Sequence, residues 1–142
     1  DKLVHMGILT SANCVFNCGK NENVDHLYFA CPYTQTIWIE ILSKCNIYRP
    51  SLPWKEEVQW MVDHDRGNKP PQMFRKLSIG ATVYQIWMER NRRSFRNCFL
   101  PPEAIIHKIQ GDVAAKLAGH KNMFDHTNEH HHSLGVNWGI VG

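Results

Sequence analysis

Cys14, Cys18, His26 and Cys31 fall in one short window with the spacing C-x3-C-x7-H-x4-C. Three thiolates and one imidazole form a standard donor set for tetrahedral Zn²⁺. Ligands a few residues apart reach a common ion at little loop-closure cost. Gly19, directly after the second cysteine, suits a turn whose amides point toward sulfur. His26 and Cys31 are five apart, a spacing that shares a side of neither an ideal strand nor an ideal helix. The chain must bend between them, and a short strand passing into a helix after Pro32 would do this. Leu27, Tyr28 and Phe29 would pack the clamp onto a core. Four protein ligands leave no open position for water, so the expected cofactor is one structural Zn²⁺ rather than a catalytic one. Against this stands the reading of three ordinary buried thiols with His26 at the surface. A redox pair fits less well: the cysteines are not C-x2-C and no βαβ pattern surrounds them.

No Ser/His/Asp, Cys/His or paired-carboxylate arrangement stands out, so no enzyme and no small-molecule substrate are expected. Asp63, His64 and Asp65 are adjacent and point in different directions on a helix. The other chemistry is cationic. From Arg66 to Arg96 eight cations face the single acid Glu89, an excess of seven positive charges. Within that stretch Arg90, Arg92, Arg93 and Arg96 are candidate contacts to RNA or DNA phosphates. Cations also complement the negative end of a helix dipole, so a solvated helix end is the competing reading. Trp38, Trp54 and Trp87 sit at core spacing, whereas Trp60 falls off its helix's apolar face. His126, His130, His131 and His132 read as part of a solvated tail.

The 142 residues fit one domain, and 43% apolar residues with five Trp and six Phe suffice for a core. Five cysteines, an odd number with three in the first third, do not form a secreted disulfide framework. They point to a reducing intracellular compartment, nucleus or cytoplasm. No apolar run approaches the roughly 18 residues of a membrane span, and no membrane partner is expected. The opening Asp1-Lys2-Leu3 has neither an initiator Met nor a signal pattern, and reads as the start of a fragment or a processed product.

The elements that must hold these residues are helical. One helix is predicted from about Tyr33 to Lys44, with Trp38, Ile41, Leu42 and Cys45 on one face. A second runs from Pro53 to about His64 with Trp54, Val58, Met61 and Val62 inward. The longest, about Pro71 to Asn97, is apolar on two sides and should be central, with Glu89–Arg96 emerging into solvent. A fourth, about Pro102 to Leu117, buries Ile105 or Ile106, Ile109, Val113 and Leu117. The expected fold is mainly α: a small N-terminal zinc knuckle (14–31) on a four-helix domain (1–119), followed by a flexible His-rich tail (120–142).

Two stretches carry a resemblance. Cys14, Cys18-Gly19, Val24-Asp25-His26-Leu27-Tyr28-Phe29-Ala30-Cys31-Pro32-Tyr33 and Ile37-Trp38 resemble the zinc-binding domain that follows the reverse transcriptase of plant LINE-type (non-LTR) retrotransposons. The lead-in Asp1-Lys2-Leu3 with Met6-Gly7-Ile8 and the downstream Ile86-Trp87-Met88-Glu89-Arg90-Asn91-Arg92-Arg93-Ser94-Phe95 are similar to segments of the same family. The resemblance covers most of residues 1–97 and departs where Asn17 lengthens the family's C-x2-C pair. It implies Zn²⁺ held by Cys14, Cys18, His26 and Cys31. It also implies a non-catalytic module that assists nucleic-acid binding beside other parts of a parent polyprotein. No Tyr-x-Asp-Asp polymerase signature is present. The alternative is a domesticated scaffold for a protein partner, stabilised by the same zinc.

Overall fold

The computed structural model describes residues 14–16, 23, 26–64, 66–124 and 128–141. The lead-in 1–13 and Cys18 lie outside the described residues. Those described form five α-helices: α1 (Pro32–Lys44), α2 (Trp54–His64), α3 (Pro70–Asn91), α4 (Pro102–Leu117) and α5 (Glu129–Asn137). Two π-turns, His26–Ala30 and Arg92–Arg96, and a 3-10 segment, Ala118–Phe124, connect them. No strand occurs among the described residues, and no helix is long and apolar enough to cross a membrane. The mainly α expectation holds.

Each boundary has a local cause. Pro32 occupies the first position of α1, where its missing N–H is no loss. Asn46, in the left-handed region at φ 61°, ends that helix. At the start of α3 the Gln72 side chain accepts from the Lys69 N–H at 3.0 Å, the reciprocal half of a capping box. α4 is bracketed by Pro101-Pro102 and Leu117, at the predicted bounds.

The core is built on α4, which packs against both α3 and α1. Ile105, Ile109, Val113 and Leu117 of α4 are buried, as are Ile37, Trp38, Ile41 and Leu42 of α1. Between α1 and α2, the buried Glu57 accepts from Trp38 Nε1 at 2.7 Å and from the Leu52 amide at 2.8 Å. Arg49 clasps the same carboxylate through Nη1 at 3.0 Å and Nη2 at 2.8 Å. This one acid ties the Pro-containing loop to α2; a periodicity search passes over it because it is polar.

Three expectations change. First, 120–142 is not a solvated tail where it is described. Phe124, Leu134, Trp138 and Ile140 are buried, and Phe74 of α3 lies 5.2 Å from the Phe124 ring and 5.5 Å from Trp138. The close approach depends on Gly135, where a Cβ would stand 2.7 Å from Phe124 Cβ. Asn128 caps α5 by accepting from His131 N at 3.0 Å. The three consecutive histidines at 130–132 masked the Leu134/Trp138 spacing.

Second, α3 is central but buries a polar stripe. Ser78, Thr82, Gln85 and Glu89 face inward with Phe74 and Ile86, while Ile79 and Val83 are half-buried and Tyr84 is exposed. With Trp54, Val58, Met61 and Val62 of α2, Ile79 and Val83 line an open apolar groove. Val62, expected inward, is exposed. Two of these polar groups have internal partners that compensate for burial: Gln85 Nε2 donates to Asp112 at 2.8 Å and Ser78 meets Cys45 Sγ at 3.7 Å, whereas Thr82 Oγ1 has no partner among the described residues.

Third, the C-terminal turns of α3 do not all emerge into solvent. Glu89 and Arg90 are 0% and 1% exposed, because both are engaged inside the domain.

Candidate metal centre

Cys14, His26 and Cys31 converge on one point. One ligand atom from each lies within 4.8 Å of the others, and all three residues are buried. The Cys14 and Cys31 sulfurs are 3.6 Å apart. That is too long for a disulfide bond of about 2.05 Å. It is close to the roughly 3.8 Å that two thiolates 2.3 Å from one tetrahedral zinc would have. The donor set and spacing therefore fit a metal ion. Cys18, the fourth predicted ligand, lies outside the described residues.

The segment carrying His26 and Cys31 solves its spacing problem without a strand. Residues 26–30 form a π-turn, and the Cys31 amide donates to the His26 carbonyl at 2.9 Å, an i→i+5 bond. Such a turn sets residue i+5 over residue i, whereas an α-turn does so for i+4. H-x4-C thus becomes a same-side pair. Asn23 starts the turn: its Oδ1 accepts the His26 amide at 2.8 Å and its carbonyl accepts the Leu27 amide at 2.8 Å. Cys31 is then the N-cap of α1, so a thiolate there sits at the positive end of the helix dipole.

Between these ligands, Leu27 and Phe29 plunge into the core. The Phe29 ring lies 5.2 Å from Trp38 and stacks at 5.6 Å on Trp54; Tyr28 lies 5.2 Å from Trp54. Ser51 Oγ donates to the Phe29 carbonyl at 2.9 Å. The expected packing of Leu27, Tyr28 and Phe29 is present, and it joins the metal arm to α1 and α2 together.

The first arm is held differently. Phe16 stacks on Tyr33 with centroids 4.5 Å apart and planes 12° apart. The Arg93 guanidinium lies 4.5 Å from the Tyr33 ring and 5.0 Å from Phe16, within cation–π range. Arg93 Nε donates to Glu89 at 2.7 Å and its Nη2 to the Leu100 carbonyl at 2.9 Å. The Tyr33 hydroxyl donates to the same carbonyl at 2.7 Å. Glu89 accepts two further bonds, from Arg92 Nε at 2.9 Å and from the Leu100 amide at 2.8 Å. Burial pushes the Glu89 carboxyl up, but the bonds from Arg93, the Leu100 amide and Arg92 outweigh it and hold it below its usual range. Burial pushes the Tyr33 hydroxyl up to about 12, Glu89 adding to the effect and Arg93 opposing it.

The four candidate phosphate contacts are therefore separated by the structure. Arg90 is buried, donates to Asn91 Oδ1 at 3.0 Å and lies 5.5 Å from the Trp87 ring. Arg92 and Arg93 are ion-paired with Glu89, and Arg96 is exposed. Beside Arg96 the rings of Phe95 and Phe99 are 60% and 56% exposed. The sequence pattern did not single out Phe16, Tyr33 or Glu89 as supports; an aromatic inside the C-x3-C loop was the one available signal. Comparison of the chain with protein-family models, curated proteins and solved structures found no match.

Proposed function

We propose that this chain is a non-catalytic zinc-binding module of a retrotransposon-derived reverse transcriptase protein, which assists the binding of RNA or DNA. The observation that carries the metal reading is the convergence of Cys14, His26 and Cys31 at one buried point. Two soft thiolates and an imidazole suit zinc and disfavour the hard cations Mg²⁺ and Ca²⁺. Cys18 completes a closed tetrahedral set, and the ion's role is then to hold the 14–31 arm on α1. The resemblance in both the cysteine/histidine window and the 86–95 segment supports the assignment to reverse-transcriptase proteins.

Metal analysis of the native protein is expected to give one zinc per chain. Cys31→Ser should abolish stoichiometric zinc and release the N-terminal arm, read as loss of protease resistance in residues 14–31. A wild-type chain without zinc, or one whose arm is unchanged by a chelator, would overturn the reading.

For nucleic acid, the exposed turn Phe95–Phe99 offers what a single strand recognises, aromatic faces beside a guanidinium. Glu89, the one acid between Arg66 and Arg96, is buried and its charge is offset by Arg92 and Arg93. Replacing both Phe95 and Phe99 with alanine is expected to weaken single-strand binding by about thirtyfold or more, at ~1 kcal/mol or more per stacked base. Arg96→Ala should lower the salt slope by roughly 0.7, the share of one neutralised phosphate on a single strand. A gel shift across salt concentrations measures both.

The scaffold reading is favoured by a different observation: Arg90 and Arg93 serve internal contacts rather than a phosphate surface. On that reading zinc binding is retained and no gel shift is seen even at low salt.

A further inference from the structure

We infer that Arg93 is a positioning residue of the metal centre, setting the separation of its two ligand arms from outside. The inference rests on the zinc reading above and adds to it a residue far along the chain from any ligand. Phe16 follows the first ligand, Cys14, by two positions; Tyr33 follows the last, Cys31, by two. The two rings are stacked on each other, and the Arg93 guanidinium lies within 5.0 Å of both centroids. One cation thus touches the equivalent point on each arm.

Arg93 is itself fixed from the opposite side. Its Nε is bound to Glu89 Oε2 and its Nη2 to the Leu100 carbonyl, which Tyr33 also uses. The guanidinium plane cannot turn without breaking one of these bonds. The order of support runs from Glu89 to Arg93, then to the Phe16/Tyr33 stack, and then to Cys14 and Cys31. The 3.6 Å between the two sulfurs is the quantity that stack controls. A lysine would keep the positive charge but not the flat, two-point grip, because an ammonium is a point donor on a flexible stem. Groups outside the ligand shell commonly tune metal affinity by 10- to 100-fold.

The test compares zinc affinity, by competition against a chromophoric chelator, in the full chain and in Arg93→Lys, Phe16→Leu and the double variant. Each single change is expected to weaken zinc at least roughly tenfold. The double variant should be little weaker than either single one, since both act through one stack. With Co²⁺ as the probe, the visible bands of the variants should shift and broaden as the sulfur geometry loosens. Tyr33→Phe keeps the ring and should retain affinity within about threefold. If wild type binds one zinc and Arg93→Lys or Phe16→Leu binds it within twofold with unchanged Co²⁺ bands, the positioning role is overturned while the metal site stands. If wild type binds no zinc, the metal reading fails first. Should Arg93→Lys not fold, Phe16→Leu, which leaves the Glu89 network intact, decides alone.

Discussion

Glu89→Ala is expected to lower the stability of the domain by about 3–5 kcal/mol, the usual cost of removing one partner from a buried charge network. The carboxylate is fully buried and accepts from Arg92, Arg93 and the Leu100 amide. Alanine leaves two guanidinium groups and a backbone N–H without their acceptor. It also frees the 96–101 loop, which has its main tie to α3 through this side chain. Glu89→Gln keeps a neutral acceptor and is expected to cost about half as much. Urea unfolding midpoints measure both; a loss under 1 kcal/mol for the alanine variant would contradict the network's importance. The same carboxyl makes stability pH-dependent. Its folded pKa lies below the unfolded value of about 4.3. Its contribution is therefore fully present above that value and is lost as pH falls through the folded pKa. The stability gap between wild type and Glu89→Gln should narrow below about pH 4. Taking the difference cancels the acid titration of other groups common to both chains.

Trp138→Ala is the second large effect, about 3–5 kcal/mol by the cavity and transfer terms for a buried tryptophan. The ring is 1% exposed and stacks on Phe74, near the start of α3. A tail that only brushed the domain would lose under 0.5 kcal/mol. Among the described residues the indole Nε1 has no hydrogen-bond partner. Trp138→Phe should consequently cost only about 1 kcal/mol, the loss of ring volume without loss of a bond. Thermal unfolding of the two variants separates a packed C-terminal helix from an accessory one.

The parts of the fold readable in sequence were those where burial follows apolar period. Trp38, Ile41 and Leu42 on α1 with Cys45 just past its end, and Ile105, Ile109, Val113 and Leu117 on α4, are buried as their spacing requires. The period fails where polar side chains find internal partners. Glu89 was expected in solvent, and Glu57, Ser78 and Gln85 fall outside any apolar period, yet each is buried and is met by a guanidinium, an indole, a thiol or a carboxylate. C-terminal burial was hidden by three consecutive histidines, whose polarity obscured Leu134 and Trp138. Of the candidate metal ligands, Cys14, His26 and Cys31 come together as their chemistry suggested. The route was not foreseen, because a π-turn has no distinct periodic signal. The arginines were legible as a cationic run, but sequence carries no information on which of them an acid a few residues away will claim.

The turn at His26–Ala30 makes the number of residues between its two ligands a mechanical constraint. Deleting one of them would convert the i→i+5 bond into an ordinary helical one and still leave the ligands one turn apart. Every side chain between them would then slip in phase by one place. Phe29 would leave its slot between Trp38 and Trp54, and a polar or small neighbour would enter it. The extra residue therefore serves the aromatic lock beneath the ligands as much as the ligands themselves. A deletion in the second arm is therefore expected to unseat Phe29 from between Trp38 and Trp54.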